Sequence, residues 1–130
     1  MDQSITTVSS LNLIDSSILS VVLTRCHQTN SMEKVEIVLD YIENYSEPEA
    51  SAVRTLLFND CRKVLMDANF GYESSDAIEY CEEFTDSPLL ASVRSAWQKV
   101  GVSDPGWTHF MFRTSSGSAI EIVAGIAKLI

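Results

Sequence analysis

A chain of 130 residues, 45% hydrophobic and 21% charged, has the size and composition of one domain that buries its core without staples. Its net charge is −9, from 18 acidic and 9 basic residues, and the bases are scattered, with only Arg62 and Lys63 adjacent. That argues against a nucleic-acid backbone or an anionic membrane surface as partner, because both call for clustered cations.

The elements expected from periodicity are helical, and the predicted fold class is all-α: a single compact bundle of six or seven amphipathic helices. Residues 1–10 are expected as a flexible N-terminal arm and 11–130 as one helical domain. The opening "MDQSITTVSSLN" is acidic and polar where a secretion signal is basic and then apolar, so the expected location is cytoplasmic. Asp15 is positioned to cap a first helix running to about residue 27, with Ile18, Val21, Val22 and Cys26 on its apolar side. Ser31 caps a second, in which Val35, Ile37, Val38, Tyr41, Ile42 and Tyr45 spread over one broad face. Glu33, Glu36, Asp40 and Glu43 fall in a stripe on the other. "SEPEA" reads as a capping box, Ser46 with Glu49, opening a third helix that Gly71 ends.

A short fourth helix over 74–86 puts Ala77, Ile78, Cys81 and Phe84 opposite Glu79, Glu82 and Glu83. Ser87 then caps a fifth, with Pro88 at its first position, an apolar face including Leu90, Val93 and Trp97, and Gly101 at its end. Residues 105–113 read as helix or strand, with helix favoured because a lone strand has nothing to pair with. The last segment, 116–130, gives an apolar C-terminal helix, a core element whose pattern would also suit docking across a dimer axis.

Among chemical motifs, His109 lies among Trp107, Phe110 and Phe112, with serines following, but no serine sits in a nucleophile elbow. The favoured reading is a core histidine bonded to a backbone carbonyl. "RTSSGSA" lacks the lysine and spacing of a phosphate loop, so its serines are read as caps. Cys26, Cys61 and Cys81 are too widely spaced for a disulfide framework or a CxxC metal site and are read as reduced, buried thiols. No metal site and no cofactor is expected, since two histidines 82 positions apart complete no ligand set.

The acidity is organised. Residues 33–49 hold six acids against Lys34 alone, and residues 73–86 hold six against none. The expected function is therefore that of a small acidic, non-enzymatic interaction protein that inhibits, chaperones or adapts a basic partner protein. Glu33, Glu36, Asp40, Glu43, Glu79, Glu82, Glu83 and Asp86 are the expected partner-binding residues. The alternative is a helical carrier enclosing a small apolar ligand or pigment against His109, Trp107 and Phe110. A hydrolase built on His109 and a nearby serine ranks last.

Overall fold

The stretch "KVEIVLDY" decides the architecture. Val35, Ile37, Leu39 and Tyr41 are buried, while Lys34, Glu36, Val38 and Asp40 lie on the opposite, half-exposed side. This period of two is that of a strand with one face on a core. The computed structural model describes residues 3–5, 11, 13–25, 33–42, 51–69 and 76–130. Among them are nine strands and one helix: β1 (Gln3–Ile5), β2 (Ser17–Thr24), β3 (Lys34–Tyr41), β4 (Ala52–Asn59), β5 (Lys63–Asp67), β6 (Ile78–Phe84), α1 (Pro88–Gln98), β7 (Thr108–Thr114), β8 (Ala119–Ala124) and β9 (Ile126–Leu129).

The strands form two antiparallel sheets, one ordered β1-β9-β4-β3-β2 and the other β5-β8-β7-β6. The chain passes between sheets where β4 gives way to β5 and where β8 bends into β9 through Gly125. A Cβ on Gly125 would stand 3.1 Å from the Asp60 carboxylate, so a side chain is poorly accommodated at this corner. At another corner Ser17 bridges Ala77, joining the beginnings of β2 and β6. The core between the sheets is aliphatic around an aromatic centre. Phe58 meets Phe110 and Phe112 edge-on, with centroids 5.0 and 6.1 Å apart.

The all-α expectation is thus overturned, and with it the helical form given to the carrier and to the C-terminal element. The described ones among the acidic residues placed on helix faces lie instead on and beside β3 and β6. The reason is local. Helical periodicity gathers a broad face from any segment that is half apolar, and β-branched residues crowd a helix but suit a pleated sheet. Residues 116–130 look apolar all round because β8 is an interior strand: Ile120 and Ile122 face the other sheet, and Val123 packs beneath α1. Residues 105–113 do find partners, since β7 runs between β6 and β8.

One expected helix forms. Ser87 caps α1 by accepting from the Leu90 N–H (3.1 Å), and Pro88 opens it. Leu90 and Val93 pack with Trp107 and Val123 on the outer face of the four-stranded sheet. Of the expected arm, Gln3–Ile5 pairs with β9. The assignments involving Cys26, Ser31, Glu43, Tyr45, Ser46, Glu49 and Gly71 lie outside the described residues. Among the described residues no helix is long and apolar enough to cross a membrane.

Candidate functional site

Alternation along β7 separates the residues grouped around His109. Phe110 and Phe112 point into the core between the sheets, while His109 lies on the outer face with Trp107, beside α1. The three residues proposed to line a ligand site therefore do not share one surface. His109 is 4% exposed, and both its ring nitrogens are bonded to side chains, not to backbone. Nε2 donates to Glu121 Oε1 at 2.9 Å, since a carboxylate only accepts. In the neutral ring, Nδ1 accepts from the Ser87 hydroxyl at 2.8 Å.

A serine–histidine–carboxylate line has the partners of a hydrolytic triad. Here its serine serves the fold. The Ser87 oxygen already accepts the Leu90 N–H as helix cap, and Pro88 has no N–H where an oxyanion donor would follow a nucleophile. The line works as a strut from α1 to β7 and β8. Ser87→Ala should cost about 1–2 kcal/mol through the lost cap and the orphaned His109 nitrogen, measured by urea unfolding.

Asp104 anchors the turn that delivers Trp107 and His109. Its carboxylate accepts from the N–H groups of Gly106 (2.6 Å) and Trp107 (2.5 Å) and from Arg94 on α1. Burial alone would raise its pKa, but the Trp107, Arg94 and Gly106 donors outweigh that and hold it below the ordinary carboxylate value. The serines of "RTSSGSA" form the β7–β8 hairpin turn. Ser118 Oγ accepts from Asn69 N–H (2.8 Å), and Asp76 accepts from Ser116 N–H (3.1 Å).

The acidic residues divide between opposite sides of the sandwich. Glu36 and Asp40 lie on the outer face of β3, where Lys34 and Lys128 balance them among Val22, Val38, Val53 and Leu57. Glu33 stands just before β3. Glu83 shares the core-facing register of Cys81 on β6 and takes part in an interaction there. Asp86 reaches Arg94 at 3.8 Å.

Glu82 belongs to a different setting, the part of the four-stranded sheet's outer face beyond α1. One cross-strand row there reads Leu65, Glu121, Met111, Glu82, and the next reads Asp67, Ala119, Arg113, Tyr80. Three carboxylates thus face one cation, interleaved with Leu65, Met111 and Tyr80, and Glu79 is exposed at the adjoining bulge of β6. Leu65 and Tyr80 are exposed.

No family model, curated protein or solved structure matches this chain. Two of the residues that build this patch, Asp67 and Glu121, escaped the sequence reading because they sit alone in sequence. Only pairing of β5 with β8 brings them together. Cys61 and Cys81 are free thiols, and burial pushes both up to about 12, so neither is a ready nucleophile at neutral pH. Among the described residues no three His, Cys, Asp or Glu side chains converge as a metal-ligand set.

Proposed function

We propose that the protein acts by binding, not catalysis, and that its partner is a basic protein seated on the acidic patch of the four-stranded sheet. The observation that carries this reading is the mixture on that face: Glu82, Glu121 and Asp67 against Arg113 within the two rows and Lys63 at their edge, with Tyr80, Leu65 and Met111 among them. Exposed aromatic and aliphatic side chains supply the buried centre of an interface, and unbalanced carboxylates supply orientation. At low ionic strength, where screening is weak, the net charge of −9 also draws a cationic partner toward the surface.

The patch also discriminates between the two acidic stretches. Glu82 and Glu79 lie on or beside it, whereas Glu36 and Asp40 lie on the far side in balanced surroundings. Immobilised protein exposed to native lysate should retain a basic partner at low salt and release it as ionic strength rises. Glu82→Lys combined with Tyr80→Ala should weaken that complex by about tenfold or more. Glu36→Lys with Asp40→Lys should leave it within about twofold, as expected for charges remote from the contact. Equal losses in both variants would show net charge alone at work and defeat the assigned surface. Retention unchanged in both would defeat the reading altogether.

A further inference from the structure

We propose that the end of the sandwich where β2 stops and β3 and β5 begin is a binding site for a small phosphate monoester, held by Arg25, Lys34, Arg62 and Lys63. A pocket of ≈ 260 Å³ opens there, and these four residues are among those that line it. They are four of the nine basic residues in the chain, and they come from three separate segments. Bases that are scattered in sequence are therefore gathered at one place in a molecule that is otherwise strongly acidic.

The four are not equivalent. Arg62 is fixed: Asp60 pairs with it at 2.6 Å, and its guanidinium carbon lies 4.4 Å from the Trp97 ring centroid and 5.0 Å from that of Trp107. Lys34 is tethered to Glu36 at 3.6 Å. Arg25 and Lys63 are exposed and make no ion pair among the described residues, so their charge is available to a ligand. One carboxylate, Glu33, also lines the pocket. Cys61 stays a neutral thiol there, because burial pushes it up to about 12.

Four cationic residues around one pocket suit a group that carries close to two charges near neutrality, as a phosphate monoester does with a second ionisation near 6. The volume has room for about nine waters at ~30 Å³ each, enough to seat a phosphorylated sugar. Beyond about 8–10 Å at physiological salt the molecule's negative charge is screened, so the local cations decide affinity.

The test is a titration of the full chain with glucose 6-phosphate at constant ionic strength, followed by backbone amide resonances, with glucose and sodium chloride as controls. Saturable shifts at Arg25, Lys34 and Arg62–Lys63 are expected with the phosphate alone. Arg25→Ala with Lys63→Ala should weaken binding about tenfold, and Glu33→Gln should tighten it about threefold. Neither exposed cation makes an ion pair among the described residues, so resonances elsewhere in the double variant should stay in place and report an intact fold. Shifts that glucose or chloride reproduces, that fail to saturate, or that persist in the double variant would overturn the proposal. The isolated chain is used throughout, so this result is independent of the partner-binding patch.

Discussion

Phe58→Ala should lower the unfolding free energy by about 4 kcal/mol, the largest loss expected from any single substitution on β4. Phe58 is fully buried and touches Phe110 and Phe112, which belong to the opposite sheet. Its removal opens a void at the centre of the contact between sheets. β4 is bonded to β3 on one side and β9 on the other, so its backbone cannot move in to fill the space. In urea the midpoint should fall by about 2 M, taking a slope near 2 kcal/mol/M. Val53→Ala on the same strand, at a residue 67% exposed, should change stability by less than about 0.5 kcal/mol. The pair of residues 57 and 58 also separates the two architectures. A helix over this segment buries Leu57 and leaves Phe58 off the core face, whereas β4 buries Phe58 and turns Leu57 outward. A Leu57→Ala loss larger than that of Phe58→Ala would contradict the sandwich.

The helix α1 was legible because its signals are local: a serine cap, a proline at the first position, an apolar spacing of three and four, and a glycine just past the end. Strands depend on partners far away in sequence, and here the partners were misread together. Residues 105–113 favour helix only for want of a neighbouring strand, yet "IEYCEEF" and "AIEIVA" are those neighbours. The alternation in "KVEIVLDY" was present in the sequence, but Val38 among the outward positions blurred it into a broad helical face. At the His109 strut, the sequence placed the histidine correctly in or at the core but not its partners. Ser87 lies 22 positions before it and Glu121 lies 12 after, and only the pairing of β7 with β8 and the docking of α1 assemble the three. The acidic character was readable from composition, while its division between two faces needed the register. The basic pocket was hidden for the same reason, since Arg25, Lys34 and Arg62 come to line one pocket only when β2, β3 and β5 come to one end.

Asp60→Ala should cost about 3 kcal/mol, because one carboxylate satisfies two partly buried donors at the corner where the chain changes sheets. Asp60 pairs with Arg62 at 2.6 Å through one oxygen and accepts from Trp107 Nε1 at 3.0 Å through the other. Removing it leaves a guanidinium between two indoles with no counter-charge, and an indole N–H with no acceptor. Asp60 also has a φ of 54°, in the left-handed region that Asn and Asp tolerate and Ala does not. Asp60→Asn retains that tolerance and an acceptor for Trp107 while discarding the charge, so it should lose about 1 kcal/mol, the scale of a single partly exposed ion pair. The gap between the two variants measures backbone conformation and hydrogen bonding apart from charge. Trp97 and Trp107 are the two tryptophans of the chain, and both lie against Arg62, so intrinsic fluorescence reads this corner directly. A shift to longer emission wavelength in the folded Asp60→Ala protein, absent from Asp60→Asn, is the expected result. If Arg62 is the fixed cation of the pocket, freeing it should also weaken phosphate binding in Asp60→Ala beyond the change in Asp60→Asn. Equal emission and equal affinity in the two variants would show that Asp60 holds the corner through its charge alone.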